Sequence, residues 1–563
     1  MKDLITRLRN QFTDYCIDGY IIPKNDEFFS EHSNKDRLKK ISNFSGSAGY
    51  AVILKNKSYL FVDGRYTIQA KIESGKNFTI LDYKKIFNCK TFKNLKLGLD
   101  PTLFTCIQIK KFFSKNKVIL IKKNLIDKIT QFRNKDDKPF FSLDKKIVGE
   151  NYQQKINKII KFLNKNKLDF IFITAPENVA WILNIRGHDN PSSPIPNSHL
   201  IISKNKKKFI ISSKIKLKKL VREKKIDKKE IIAPKDLENF LKKLDGKNIL
   251  IDTKTCSINY EKILSEKFNI IRKNDPIYLL KSIKNKVEIS NMINAHISDG
   301  VALTKFIYWI KNVNKKKITE VDAQNKLEIF RKKNDNYLFP SFNTIAGSGK
   351  NGAIVHYRAT NKNTKYINKN EIFLCDSGGQ YKYGTTDVTR TICFSKQHIS
   401  KKKIFTYVLK GHIAVAMCDL DKNKTGKFID MKARKYLKRN RLDYNHGTGH
   451  GVGYFLNVHE GPQAISKLNS IKIQEGMILS NEPGYYKKGE FGIRIENLLY
   501  VKRINKKLVF KNLTLAPIDK DLIDFDLLTL KEKDYLFKYH LEVYSKISPY
   551  LNKKEKNWLA NFI

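Results

Sequence analysis

No CxxC pair occurs in the 563 residues, and the seven cysteines are scattered and odd in number. That excludes a zinc ribbon and a disulfide framework; reduced thiols of a cytosolic protein are the simple account. No stretch reaches the roughly 18 uninterrupted apolar residues that a membrane helix needs. HExxH is missing, which excludes a single-zinc site of the thermolysin kind. GSGKNG (347–352) lacks the spacing of a phosphate loop, so its expected role is a flexible loop presenting His356. Acid is scarce: 55 Asp and Glu face 109 Lys and Arg, a net charge of +54. Such an excess suggests nucleic acid. Yet the lysines run the whole length, Asn and Ile are abundant as in A/T-rich coding, and no recognition motif accompanies the charge. Solvated lysines such as those of KNKKK (204–208) are the expectation, with only weak, salt-sensitive association with polyanions. Neither a specific nucleic acid nor a membrane is an expected partner. At the N-terminus, Leu4, Ile5, Leu8 and Phe12 among charges predict an amphipathic helix rather than a signal peptide. The cytoplasm is the expected location.

What is there fits about three or four domains by length. AVILKNKSYLFVDGRYTIQA (51–70) predicts strand, turn, strand and helix, and NKDDKPFFSLDK (134–145) a linker. YQQKINKIIKFLNKNK (152–167) has helical spacing and DFIFIT (169–174) reads as a strand. HLIIS (199–203) and KFIISS (208–213) predict a hairpin; NILIDTKT (248–255) and NIIRKNDPIYLLK (269–281) close that unit. A long helical pattern follows at 285–312. From about 340 the texture turns to glycine-rich strands, and the tail after 510 ends in an amphipathic helix.

Chemistry gathers in two similar segments. In EIFLCDSGGQYKYGTTDVTRTICF (371–394) an apolar strand reaches Asp376, a glycine turn follows, and a second strand starts at Asp387. In GMILSNEPGYYKKGEFGIRIENLLYV (476–501) a strand ends at Glu482, turns at Pro483 and Gly484, and the returning strand carries Arg494 and Glu496 on one face. Each returning strand bears an arginine, Arg390 or Arg494, which hints at an internal duplication. Between them lie His446, His450 and His459 among glycines. Four carboxylates and one imidazole form a hard, oxygen-rich donor set suited to Mn²⁺, Co²⁺ or Fe²⁺. Two divalent ions carry four positive charges, which four carboxylates offset, and carboxylates can bridge ions about 3.5 Å apart.

DSGGQYKYGTTDVTRT, HGTGHGVGYFLNVHEGP, NEPGYY and GIRIEN closely resemble the pita-bread metallopeptidases, and most of all their long, three-domain Xaa-Pro aminopeptidases. FSGSAGYAVI and DGRYTIQA (44–70), APENVAWILNIRGHDNPSSPIPNSHLII (175–202) and LTLAPIDKDLID (513–524) extend the resemblance over nearly the whole chain. It implies an α/β (α+β) fold: two creatinase-like N-terminal domains (1–140 and 147–284), a pita-bread catalytic domain (285–510) and a C-terminal extension (511–563) that serves dimerisation. It implies two divalent ions, manganese first, with cobalt, iron and zinc as alternatives. Asp376 would hold one ion, His450 and Glu482 the other, and Asp387 and Glu496 would bridge. Glu482 would also accept the proton of the attacking water. His356, His446 and His459 match substrate-binding histidines, of which His459 would steady the oxyanion, and Arg494 would orient a ligand carboxylate. Asn481 departs from the family, where an acid often precedes the glutamate. His188, in the polar loop RGHDNP, is expected to be structural or to contact a neighbouring active site.

The implied activity is removal of an N-terminal residue from peptides whose second residue is proline, by a homodimer. Three rivals are weighed against it: a proline dipeptidase on the same scaffold, a metal-free creatinase-like hydrolase, and a basic binding protein with an inactive peptidase domain. The three-unit layout and the tail disfavour the first, and intact ligand positions disfavour the other two.

Overall fold

Short runs of aromatic and β-branched residues, such as YIIP, YAVIL and SYLFV, pair into sheets because such side chains pack well on a pleated surface. In the computed structural model, which describes all residues except 32, 34, 89–91 and 133–136, the chain divides into two units, Met1–Tyr278 and Leu279–Ile563.

The first unit holds two six-stranded sheets of identical topology. In the first, the spatial order is Thr79–Asp82, Ser58–Val62, Tyr50–Leu54, Gly19–Pro23, Lys96–Leu99, Lys117–Leu120. In the second it is Ile231–Ile232, Lys208–Ile211, His199–Ser203, Phe170–Ile173, Asn248–Ile251, Asn269–Arg272. In both, the first three strands in sequence are antiparallel neighbours and the other contacts are parallel. The predicted hairpin of HLIIS and KFIISS forms as expected, with its turn residues 204–207 exposed. The amphipathic N-terminal helix is Lys2–Asn10, with Ile5 and Leu8 buried. Residues 134–136 of the predicted linker lie outside the described residues. Its remainder is more than a linker: Phe141–Ser142 pairs with Ile185–Arg186, and Phe140 is buried. His188 lies 5.5 Å from the ring of Phe141.

The second unit opens with α1 (Lys286–Asn312), started by an Asn285–Glu288 capping box, and α2 (Glu320–Lys332). Six strands follow: β1 (Tyr337–Pro340), β2 (Ile345–Ser348), β3 (Phe373–Ser377), β4 (Gly379–Tyr381), β5 (Gly384–Thr385) and β6 (Val388–Ile392). Then come α3 (Ile399–Ala416) and α4 (Gly426–Arg439) and a further six: β7 (Gly449–Gly451), β8 (Glu460–Ile465), β9 (Ile478–Asn481), β10 (Gly484–Lys487), β11 (Phe491–Arg494) and β12 (Asn497–Ile504). Leaving 3-10 turns aside, the order of two helices and six strands therefore occurs twice. β13 (Lys507–Asn512) and the helices α5 (Leu530–Ile547) and α6 (Lys553–Phe562) complete the chain. β2, β3 and β6 form one sheet, β1, β4 and β5 another, and β8-β7-β9-β12-β13 a third, with β10 and β11 a separate hairpin. The tail is part of the core: Leu515, Ile518, Leu536, Tyr539 and Val543 cluster with Ile493 and Ile495.

Two details differ from the sequence reading. The turn after Asp376 is not simple, because a second hairpin, β4–β5, is inserted before Asp387 and pairs with the distant β1. And GSGKNG is no loose loop. It runs from β2 into the 3-10 turn Gly349–Ala353, with Glu320 accepting from Ser348 N at 2.8 Å, from Asn351 Nδ2 at 3.0 Å and from Tyr357 OH at 2.9 Å. A Cβ on Gly492 would sit 1.8 Å from Gly352 O, so only glycine lets β11 approach this turn.

Candidate active site

The four acids stand at strand ends. Asp376 is on β3 opposite Thr389 of β6, and Asp387 immediately precedes β6. Glu482 follows β9 and Glu496 precedes β12, flanking the opposed pair Asn481 and Asn497. His450 is the middle residue of β7, which lies against β9 so closely that a Cβ on Gly449 would be 1.9 Å from Ser480 O. Backbone bonds join the two halves at this point: Glu496 N donates to Thr389 O at 3.1 Å, and Arg494 N to Thr391 Oγ1 at 3.1 Å.

The five predicted residues converge. Asp387, His450 and Glu496 each bring a donor atom within 4.8 Å of the others. His450 Nε2 lies 3.4 Å from Asp387 Oδ2 and 3.5 Å from Glu482 Oε1. Its Nδ1 is 2.9 Å from Gly451 O, an acceptor that places the proton there and leaves Nε2 to face the carboxylates. Arg494 Nη2 donates to Asp376 Oδ2 at 2.6 Å. Asp376, Asp387 and Glu496 are buried, whereas the side chains of His450 and Glu482 keep 20% and 18% of their surface and so form the open side.

Like charges in a dry site disfavour one another. Burial, with the fields of Asp387, Glu482 and Asp376, holds Glu496 well above the ordinary carboxylate range. Burial lifts Asp376 to about 7, the Arg494 guanidinium opposing and Asp387 and Glu482 assisting. Burial raises Glu482 likewise, against the pull of His450 and Arg494. For His450, burial acts against the imidazolium, but the bond to Asp387 and the field of Glu482 prevail and raise it to about 9. Buried polar atoms are nearly always hydrogen-bonded, yet Asp376 Oδ1 and Glu496 Oε1 are buried without a partner. Orphaned carboxylate oxygens pointing into a ring of acids fit divalent cations.

The strand bearing Arg494 and Glu496 is not continuous, as the sequence reading had it. β11 ends at Arg494 and β12 starts at Asn497. The two side chains nevertheless meet through Thr389, whose Oγ1 accepts from Arg494 Nε at 3.0 Å and donates to Glu496 Oε2 at 2.8 Å. His446 is tied in by Tyr486, whose hydroxyl lies 2.9 Å from His446 Nε2 and accepts from Arg494 Nη1 at 2.6 Å. The ring of His459 stands edge-on to His450, centroids 4.4 Å apart. His356 occupies the turn after the 3-10 segment, half-buried. Asn481 turns away from the acids, donating to His412 O at 2.9 Å.

Sequence reasoning overlooked Thr389 and Tyr486, and set Ser480 aside because it has no nucleophile elbow and no partner at recognisable spacing. Ser480 accepts from His450 N at 2.9 Å and donates to Glu482 Oε1 at 3.1 Å. For Tyr486 the available signal was register: Gly484 opposes Arg494, so Tyr486, two residues on, lies on the same face. Tyr486→Phe is expected to lower kcat/KM about tenfold, as the loss of a supporting bond around a ligand does; steady-state kinetics showing less than a twofold change would remove Tyr486 from the network.

Comparison with known proteins follows the same lines. Residues 290–503 match metallopeptidase family M24, residues 131–288 the creatinase/prolidase N-terminal domain, and residues 506–562 the C-terminal region of peptidase M24. A probable Xaa-Pro aminopeptidase P of Coprinopsis cinerea is 35% identical over 99% of this chain and 97% of its own. Xaa-Pro aminopeptidase 1 of Dictyostelium discoideum is 35% identical over 99% and 96%. Among solved structures, the X-prolyl aminopeptidase of Caenorhabditis elegans, described as a cytosolic enzyme with a di-nuclear active site, superposes with a TM-score of 0.91 at 28% identity, covering 100% of this chain and 99% of that one. The prolidase of Pyrococcus horikoshii OT3 covers 65% of this chain and 99% of its own, at 26% identity and a TM-score of 0.52.

Proposed function

The chain belongs to the Xaa-Pro aminopeptidase P family of M24 metallopeptidases, and from that membership and the site's geometry we propose that it hydrolyses the bond between an N-terminal residue and a penultimate proline. The observation that carries this reading is the meeting of Asp387, His450 and Glu496, with Glu482 3.5 Å from His450 and Arg494 bonded to Asp376, and with one carboxylate oxygen each of Asp376 and Glu496 buried without a partner.

Asp376, Asp387, His450, Glu482 and Glu496 would hold two divalent cations, and the carboxylate-rich donor set favours manganese over the softer alternatives. When bound, the ions supply Lewis acidity, activating a water and polarising the scissile carbonyl. The chain's own residues do the rest. The free amine of the peptide would lie against the acidic ligands and a cation, which anchors its end and makes the cut exopeptidic. Glu482, on the open side, takes the proton of the attacking water and delivers it to the proline nitrogen as the C–N bond breaks. His459, beside His450, donates to the carbonyl oxygen as negative charge develops there. His356 and His446 shape a pocket for the proline ring, which has no N–H to satisfy. Arg494 fixes Asp376, and Thr389 fixes Glu496.

The test is a digest. Chelator-stripped protein is expected to leave a longer Xaa-Pro peptide intact, and Mn²⁺ to restore release of the first residue. Cleavage of an Xaa-Pro dipeptide alone would instead mark a proline dipeptidase, and no cleavage by fully loaded protein would overturn the proposal. Metal analysis of the purified protein decides between manganese and cobalt, iron or zinc.

We also propose a homodimer in the cytoplasm. Leu530, Phe537 and Leu541 of α5 are 83%, 67% and 55% exposed, and Phe537 and Leu541 line an open cavity of about 450 Å³ with Phe525, Leu536, Tyr544 and Ile563. A second copy covering this face would remove that apolar surface from water. Phe537→Glu is expected to halve the mass measured by light scattering; an unchanged dimer would exclude α5 from the interface. Among the described residues, no helix is long and apolar enough to cross a membrane. Recovery of the protein in the membrane fraction of cells would oppose the location.

A further inference from the structure

The two arginines of the repeated segments do different work. Residues opposed in β3 and β6 are Asp376 with Thr389 and Cys375 with Arg390. Successive side chains on a strand point to opposite faces. Thr389 and Asp376 therefore face the acids, while Arg390 turns to the other side.

There Arg390 is buried, and all six of its acceptors are neutral oxygens. Nε donates to Pro517 O at 3.0 Å. Nη1 donates to Thr389 O at 2.8 Å and Glu496 O at 2.7 Å. Nη2 reaches Asn497 Oδ1 at 2.8 Å, Ala516 O at 2.7 Å and Tyr539 OH at 2.9 Å. A guanidinium is expensive to bury and is ordinarily paired with a carboxylate. This one instead gathers carbonyl dipoles from three places: β6, the start of β12, and the tail more than 120 residues away in sequence. Tyr539 in turn donates to Ala516 O at 2.7 Å, and the tail is fastened further by Asp519, which accepts from Cys393 N at 3.0 Å and pairs with Lys311 at 2.7 Å.

One nitrogen decides the consequence. Nη1 holds the carbonyls of Thr389 and Glu496 side by side, and on the opposite face Thr389 Oγ1 bonds the Glu496 carboxylate. The position of that carboxylate is thus set from behind, by a residue whose remaining bonds, apart from the one to Asn497, lie in the tail. We infer that Arg390 is a positioning residue for Glu496, and that the segment Leu513–Asp519 with Tyr539 of α5 is its anchor, so that the tail is a working part of the cation site. The inference rests on Glu496 holding a cation, as proposed above.

The experiment titrates the stripped full-length protein with Mn²⁺ alone, by calorimetry, and measures kcat and KM separately. Arg390→Lys keeps the charge but cannot span the six acceptors. It is expected to weaken one of two Mn²⁺ sites by 10- to 100-fold, to lower kcat in parallel and to leave KM within about twofold. Tyr539→Phe removes a single hydroxyl and is expected to weaken the same site by about threefold. Should Arg390→Lys fail to fold, Tyr539→Phe decides alone. A variant that melts earlier yet binds Mn²⁺ as the wild type does would show that Arg390 only holds the fold together, and would overturn the inference. Glu496→Ala is the control: two ions retained in that variant would bring down the ligand assignment, and the inference with it, whereas one ion lost there beside wild-type binding in Arg390→Lys and Tyr539→Phe would bring down the inference alone.

Discussion

Glu496→Ala, or Asp387→Ala, is expected to abolish peptide hydrolysis and the uptake of at least one ion together. The loss in kcat/KM is on the order of a thousandfold or more, equivalent to about 4 kcal/mol of barrier. Glu496 is 1% exposed and has one oxygen on Thr389 and the other orphaned. No neighbouring side chain can take over that second oxygen. A loss of activity can also come from a damaged fold, and here the two causes leave opposite marks. The site without cations is crowded with acids that burial and mutual repulsion hold far from their ordinary protonation. Removing one of them relieves the crowding, so the stripped variant should melt no earlier than the stripped wild type. Activity near the wild-type level in either variant would overturn the proposed bridging roles; a stripped variant that melts much earlier would assign the loss to folding.

Asp299→Ala is expected to have the largest effect on stability. Its carboxylate accepts from Arg331 Nε at 2.8 Å and from Tyr381 OH at 2.8 Å, and all three side chains are almost wholly buried. Breaking a buried pair by removing one partner costs about 3–5 kcal/mol, because the remaining charge has nowhere to go. For a unit of this size that lowers the melting temperature by roughly 6–15 °C. The damage should reach catalysis too, since Arg331 Nη2 also donates to Ser377 Oγ at 3.0 Å, next to Asp376. Adding Arg331→Met to Asp299→Ala removes the stranded charge and is expected to recover part of the loss. Thermal melts showing less than 1 kcal/mol for the single variant would contradict this account.

Asp376 and Glu482 were legible because each ends an apolar strand just before a glycine-containing turn, whereas Asp387, Glu496 and His450 were read from the returning strands, the glycines around the histidine and the resemblance. The hairpin at 199–211 was legible because two short apolar runs flank a charged, polar turn at 204–207. What could not be read depends on partners remote in the chain. β4 and β5 look like part of a turn until β1 arrives to pair with them. In sequence Glu496 reads as a continuation of the strand of Arg494, but that strand ends at Arg494 and Glu496 N bonds Thr389 O instead. Thr389 and Tyr486 lie within DSGGQYKYGTTDVTRT and NEPGYY, yet nothing in their own residue type announces a role; register puts their hydroxyls between charged groups. The duplication was glimpsed through the acids and arginines, and the element order now carries it further, although Arg390 and Arg494 face opposite sides. Likewise the two N-terminal sheets share one strand order that their apolar runs alone do not reveal.

Two of the four acids come from each half of the C-terminal unit, and the halves are stitched by Thr391 to Arg494 and by Thr389 to Glu496. With no cation in place, burial and their neighbours hold Asp376, Glu482 and Glu496 above the ordinary carboxylate range, so near neutral pH their ionisation on unfolding favours the unfolded chain. Held by two cations as proposed, the same carboxylates would fasten the two halves together. Metal removal is therefore expected to lower stability as well as turnover: chelator-stripped protein should melt below the Mn²⁺-loaded protein and yield sooner to a protease.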